Sequence, residues 1–263
     1  MTAGRVRLSV AEARELGEAA LRWIAYADEE ARIIADHVID AALCGYEYSG
    51  LAKILNIPES RHFRQPRRPM AVVRETGVSI AFDGGNNVGM LALYHAARAA
   101  IDKAGAHGIA LVSVNDAWMS GRSAYFVEMI AKAGLVAIHT VGSSRLVAPP
   151  GGAKAALGTN PIAIAVPSSD GRPFVADVSM GAVTHGDVLA GRARPDELVP
   201  FGGPQAHKAF ALAAGLELLV GALAGPEPGA VVLAMRPGCD PVPGFRDLAG
   251  GRRLPGDSGR RRG

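Results

Sequence analysis

Aromatic residues make up only 5% of this 263-residue chain, and cysteine appears twice, at Cys44 and Cys239. Neither cysteine has a CxxC partner, which argues against a disulfide framework and for a reducing compartment. None of the seven histidines stands at a metal-ligand spacing from Asp, Glu or Cys, so no metal site is expected. There is no apolar core of the signal-peptide kind at the N-terminus and no apolar run long enough to span a bilayer, so a cytoplasmic protein with no membrane partner is the expectation. The net charge is only +3, with much of the basic excess at the end, in Arg252, Arg253, Arg260, Arg261 and Arg262. Without a basic stripe interleaved with aromatics this reads as a solvated tail, and no nucleic-acid partner is expected. A GxGxxG turn is also missing. The nearest cluster, Gly84 to Gly89, has the wrong spacing, and no acidic residue follows a second strand, which argues against a Rossmann site and a P-loop. No Gly-x-Ser-x-Gly elbow or Ser-His-Asp arrangement is present.

What is present is a globular composition, 49% hydrophobic and 20% charged, long enough for one large domain or two intimate lobes. Ser9 with Glu12 reads as a capping box opening a helix over Val10 to Trp23, with Leu16, Ala20 and Trp23 as its buried face. A second helix, Asp28 to Leu43, carries Ile33, Ile34, Val38, Ile39 and Leu43 at helical spacing and stops at Gly45. Ser60 to Pro69, dense in Arg and Pro, reads as an exposed connection. Strands follow at Val78 to Phe82, Ile109 to Val114, Val136 to Val141, Ile162 to Val166, Phe174 to Val178 and Ala230 to Met235. Helices are expected at Met90 to Ala104, Gly121 to Ala133 and Ala206 to Leu223, with Asp83-Gly84-Gly85 as a turn. The alternation is that of an α/β protein. From Pro237 onward the Gly, Pro and Arg content predicts a loosely draped or poorly ordered end.

Two loops invite a closer look. Pro149-Pro150-Gly151-Gly152 is a tight turn, and Gly158-Thr159-Asn160-Pro161 leads straight into an apolar strand. Glycine lets backbone approach a ligand, and Asn160 offers both a donor and an acceptor to an amide-bearing ligand. On chemistry alone, two ordinary connecting turns are the simpler explanation.

The order and spacing of these loops within Leu146 to Pro167 resemble the type-2 malate/L-lactate dehydrogenase family, nicotinamide-dependent enzymes without a Rossmann fold. Ala81-Phe82-Asp83-Gly84 with Asn87-Val88-Gly89, Tyr125 to Met129, His207 to Leu212 and Leu254-Pro255-Gly256 resemble further family segments. The resemblance implies a sulfolactate dehydrogenase-like α/β fold, with a mostly antiparallel cofactor-binding sheet packed on a helical lobe. It places a helical, dimer-forming lobe at 1–70 with 206–263 and the cofactor domain at 71–205. It implies NAD or NADP as cofactor, a homodimer, and hydride transfer to a small 2-oxo or cyclic 2-imino carboxylate. The cofactor-binding positions it assigns are Met119, Ser120, Arg122, Gly158, Thr159, Asn160, Asp177, Ser179, His207 and Lys208.

Departures from the family pattern fall on the acid/base chemistry. The family's Ser-His-Gly-x-x-Arg segment corresponds to Tyr48-Ser49-Gly50-Leu51-Ala52-Lys53, so Ser49 replaces the histidine and Lys53 the arginine. A serine hydroxyl is too weak an acid to replace imidazole, and Lys53 keeps the charge without the bidentate fork. Tyr48 or Tyr46 could donate a proton if a nearby lysine lowered its pKa; packing with an exposed hydroxyl is the alternative. A second family histidine corresponds to Met119, beside Trp118, which either stacks on a ring or fills core. Arg122 either reaches a carboxylate or cofactor phosphate or begins a helix in solvent. Asp187 stands at the family's lysine position, and His185 is a further acid/base candidate or a solvated loop residue. The catalytic candidates are thus Tyr48, Ser49, Lys53 and His185. Relative to the family, sequence is missing between His185 and Phe210 and between Gly225 and Ala230. These losses leave an alternative: a repurposed isomerase, lyase or cyclase on the same scaffold, or a non-catalytic homologue.

Overall fold

The computed structural model describes residues 6–46, 48–142, 145–152 and 154–257. Arg260, Arg261 and Arg262 lie outside the described residues. Backbone contacts separate two units, Met1–Gln65 with Ser258–Gly263 and Pro66–Asp257. The stretch 206–257, expected with the N-terminal helices, belongs instead to the larger unit, because its helix and strand are built into the sheet there.

In the smaller unit, helix α1 (Val10–Trp23) opens with the expected capping box: Glu12 N–H donates to Ser9 Oγ at 3.2 Å, and Ser9 N–H donates to the Glu12 carboxylate at 2.8 Å. Its buried face is Ala13, Gly17 and Leu21, not Leu16, Ala20 and Trp23; Leu16 is 58% and Trp23 90% exposed. Small residues decide this. A side chain on Gly17 would stand 3.3 Å from Leu51 Cδ2, so the i, i+4, i+8 stripe allows a closer approach than larger side chains would. Helix α2 (Asp28–Leu43) packs on α1 and buries Ile33, Ile34, Val38 and Ile39 as expected, stopping at Gly45 with φ +89°. A 3-10 turn (Leu51–Leu55), α3 (Asn56–Glu59) and a second 3-10 turn (Arg61–Arg64) follow. The last of these gives local order to part of the expected exposed connection.

The larger unit holds a seven-stranded sheet in the order β1-β2-β3-β7-β4-β5-β6. The strands are β1 (Ala71–Glu75), β2 (Ser79–Val88), β3 (Ile109–Trp118), β4 (Val136–Val141), β5 (Ile162–Val166), β6 (Phe174–Val178) and β7 (Ala230–Met235). Only β2 and β3 pair in parallel, joined through α4 (Gly89–His107); every other neighbour is antiparallel. Strand β1 has no buried residue, which explains why no alternation marked it in the sequence. Asp83-Gly84-Gly85 is no turn. Strand β2 runs through it with a register shift between Asp83 and Asn87. Gly84 lies flat against β3, where a Cβ would stand 2.7 Å from Asn115 O, and Gly85 takes φ +66°. The glycines form a bulge between paired strands.

Helices α4 and α5 (Ser123–Lys132) cover one face of the sheet, burying Leu93, Ala97, Phe126 and Ile130 against Val112, Ala137, Ala163 and Val232. On β5, Ala163 and Ala165 belong to that core, whereas Ile162, pointing the other way, packs with Ala213 of α7 (Ala206–Ala224). Helix α7 therefore covers the opposite face. Two short helices complete the unit, α6 (His185–Leu189) and α8 (Val242–Leu248). Up to Asp257, the end expected to be loose is docked: Arg246 donates to both Asp257 carboxylate oxygens at 2.6 and 2.8 Å and to Arg172 O at 2.9 Å. Leu254 is buried, and Val175 N–H reaches Pro255 O at 3.4 Å.

Candidate functional site

The smaller unit carries Tyr48, Ser49 and Lys53. The 3-10 turn after Gly50 points Lys53 inward, where it is only 9% exposed. Its ammonium lies 4.0 Å from the centre of the Tyr48 ring. Among the described residues it has no carboxylate partner, and burial pushes its pKa down to about 8. Tyr48 behaves oppositely to the expectation of a phenol made acidic by a lysine. Burial, aided by the negative charge of Glu59, pushes its pKa up, and the lysine faces the ring rather than the hydroxyl. Ser49 is half-buried and Tyr46 exposed.

In the larger unit, β3 ends at Trp118, whose indole N–H donates to Asn86 O at 3.1 Å in the core. Met119 then takes φ +59°, an unusual conformation for a non-glycine residue. Ser120 packs on the start of α4 so closely that a Cβ on Gly89 would meet Ser120 Cα at 2.8 Å. Arg122 is buried, not solvated, and donates to Glu128 of α5 at 2.5 Å. Asp177 accepts the Ala124 N–H at 2.8 Å and so caps α5 from β6. Burial pushes its carboxyl pKa up, against the pull of that N–H and of Arg122. Arg122 and Asp177 thus form, with Glu128, a charged group that holds the start of α5. Ser179 accepts from Gly181 N–H at 3.1 Å.

The Gly158–Pro161 loop is held at both ends. Met180 N–H donates to Thr159 O at 2.8 Å, and Thr140 Oγ1 donates to Pro161 O at 3.0 Å. Between these anchors Asn160 is fully buried with φ +34°. Its Nδ2 donates to Glu217 of α7 at 2.5 Å, while no described residue donates to its Oδ1. The sequence reading missed Glu217. Its signal was there: it is the only charged residue between Lys208 and Gly225.

Ala148 to Gly152, Ala182, Val199, Pro200, Gly202, Gly203 and Ala206 line a cleft of about 450 Å³ at the N-terminal end of α7. His207 and Lys208 follow Ala206 in the first turn, both exposed. His185 opens α6, whose cap is Thr184 with Asp187; Asp187 also pairs with Arg192, so it serves the helix start. Among the described residues no group of His, Cys, Asp and Glu could hold a metal ion.

A nicotinamide dinucleotide carries a carboxamide and a chain of anionic phosphates. The unmatched, buried Asn160 Oδ1 suits the former, and a cleft at a helix N-terminus followed by Lys208 suits the latter. The residues present therefore fit such a group.

The malate/L-lactate dehydrogenase family profile matches residues 8–198. The chain is 30% identical over 236 residues to hydroxycarboxylate dehydrogenase B of Escherichia coli (strain K12), covering 79% of this chain and 65% of that protein. It is 39% identical over 149 residues to a Δ1-pyrroline-2-carboxylate/Δ1-piperideine-2-carboxylate reductase of Pseudomonas aeruginosa, covering 48% and 44%. It thus spans less than two thirds of the length of these curated relatives. Among solved structures, a putative malate/lactate dehydrogenase from E. coli superposes with a TM-score of 0.88 at 24% identity, over 98% of this chain and 89% of that one.

Proposed function

The chain belongs to the malate/L-lactate dehydrogenase family, and from that premise we propose that it is a nicotinamide-dependent reductase of a small 2-oxo or cyclic 2-imino carboxylate. The observation that carries the proposal is Lys53, a buried ammonium without a carboxylate partner among the described residues, at the position that the family resemblance gives to an arginine. A buried cation of this kind is stabilised by an incoming anion, here the carboxylate of the substrate. With a pKa brought down to about 8, Lys53 is also a better proton donor than an ordinary lysine. It gives a proton to the oxygen of a 2-oxo acid as that oxygen gains charge, and water restores it. A cyclic imino acid enters already protonated on nitrogen and needs only the hydride, so loss of the family histidine to Ser49 favours imines.

NAD or NADP is the cofactor in this reading, and when bound it supplies the hydride from its nicotinamide ring. Asn160 holds the carboxamide, and the cleft, the first turn of α7 and Lys208 hold the phosphates. From Ala206 to Glu217 is three turns of α7, about 16 Å, a separation that an extended dinucleotide can span.

The protein acts as a cytoplasmic homodimer. Contrary to the expectation of no membrane-length apolar segment, helix α7 is long and apolar enough to cross a membrane, but Glu217 within it is tied to Asn160 and the helix packs on β3, β4 and β7. Its outer face, with Leu212, Leu218 and Leu219 exposed, suits a second copy of the chain.

Oxidation of NADH and NADPH, followed at 2-oxo acids and cyclic 2-imino acids in turn, tests the proposal. Turnover with at least one pair is the expected result. Binding of the cofactor without turnover on any acceptor would favour a repurposed, non-redox protein.

A further inference from the structure

We infer that Glu217 is a positioning residue: it fixes the Asn160 amide so that its carbonyl oxygen, not its NH2, is offered to the ligand. The inference rests on the nicotinamide reading above and deepens it, because it states which atom of the cofactor this site recognises.

An asparagine amide has two nearly isosteric ends, and only its neighbours decide which way it points. An ionised carboxylate accepts hydrogen bonds and donates none. Glu217 Oε2 must therefore face Nδ2, as it does at 2.5 Å, and Oδ1 is turned to the other side. Rotating the amide would set two acceptors against each other. The backbone cannot relieve this, because Met180 holds Thr159 O and Thr140 holds Pro161 O on either side.

Two local costs meet in Asn160. A buried carbonyl to which no described residue donates is unfavourable. A φ of +34° is unusual for a residue with a side chain, though asparagine tolerates the left-handed region better than most. A ligand N–H directed at Oδ1 removes the first cost and gives the second a use. The carboxamide of a nicotinamide has such an N–H. Glu217 itself touches no ligand in this arrangement; it acts through Asn160.

The test compares two ligands of nearly identical shape. Reduced 3-acetylpyridine adenine dinucleotide, or its 2′-phosphate, has a methyl ketone where NADH or NADPH has the amide, and so lacks the N–H. Kd is measured by fluorescence for the natural cofactor and its analogue, using the full chain. The wild type is expected to prefer the natural cofactor by about tenfold, the worth of one hydrogen bond. Glu217→Gln, which can donate to Asn160 and lets the amide turn over, brings the ratio close to one. Glu217→Asp, still acceptor-only, keeps the preference. Partial unfolding weakens both ligands alike and leaves the ratio unmoved, so a purely structural role for Glu217 predicts no change in it. A wild type without preference, or a Glu217→Gln variant that retains it, overturns the inference while the nicotinamide reading stands. A wild type that binds neither NADH nor NADPH overturns both.

Discussion

The ammonium of Lys53 lies 4.0 Å from the centre of the Tyr48 ring and has no carboxylate partner among the described residues. The ring face compensates part of the charge, since cation–π contacts contribute about 0.5–2 kcal/mol. Burial acts against the charge and brings the pKa down to about 8. For a lysine whose folded pKa lies below its unfolded value, the penalty is fully present below pH 8. It fades as pH rises toward 10.5. Lys53→Met is therefore expected to stabilise the protein at pH 7 by up to about 3 kcal/mol, read from urea denaturation. The same variant should lose nearly all turnover, and wild-type activity on a 2-oxo acid should fall above pH 8. Full activity in Lys53→Met would remove Lys53 from the chemistry.

His139 of β4 is fully buried, edge-on to Phe126 and within 3.1 Å of Val231 O through Nδ1. Burial pushes its pKa down to about 4. The unfolded chain therefore takes up a proton near pH 6.5 that the folded chain resists. Stability contributed by neutral His139 is present above pH 6.5 and is lost as pH falls toward 4. The loss amounts to about 3 kcal/mol by pH 4. His139→Leu should show a shallower decline over that interval when denaturation midpoints are compared pH by pH. Parallel declines in both proteins would exclude His139 as the source.

Gly84 lies against the carbonyls of Asn115 and Asp116, at 2.7 and 2.8 Å from where a Cβ would be. Backbone on both sides of the bulge leaves no flexible side chain to yield. Gly84→Ala is expected to destabilise by about 1–3 kcal/mol, with calorimetry as the measure. Gly105, with open space around its Cβ position on α4, is the control, and Gly105→Ala should be neutral or stabilising.

On α7, Leu218 is 73% exposed, and no charged side chain but that of Glu217, tied to Asn160, interrupts the helix after Lys208. If this face joins two copies, Leu218→Lys should shift the protein from dimer to monomer in light scattering at unchanged fold by circular dichroism. A wild type that is monomeric at micromolar concentration would end the homodimer proposal.

Much of the fold could be read in the sequence because periodicity and capping act locally. The capping box of Ser9 and Glu12, the apolar spacing of α2 and the β-branched runs of β4, β5 and β7 each announce one element. What could not be read depended on partners distant in sequence. Strand β1 buries no residue, so its Ala71-Val72-Val73 run has no in–out alternation to mark it as a strand. Asp83-Gly84-Gly85 has the composition of a turn, and only the approach of β3 makes it a bulge. Leu16 and Trp23 are hydrophobic at helical spacing, but the packing face went to Ala13, Gly17 and Leu21 because small residues admit a neighbour. For the candidate site the sequence pointed to Asn160 and Lys53 but not to Glu217, whose connection to Asn160 spans 57 residues. Nor could it indicate that Arg122 is engaged by Glu128.

The docked C-terminal segment has one more effect. A sheet that ends in an unpaired strand invites another chain to add to it. Beside β6, Pro255 meets the N–H of Val175, and Gly256 lies so near that a Cβ would stand 2.8 Å from that nitrogen, so an incoming strand finds its place taken. At the opposite margin β1 is five residues long, kinked between Val72 and Arg74, and bears Arg74 and Glu75. Both margins are thereby poor templates for strand addition. The ion pair between Arg246 and Asp257 holds in place the segment that occupies the β6 margin.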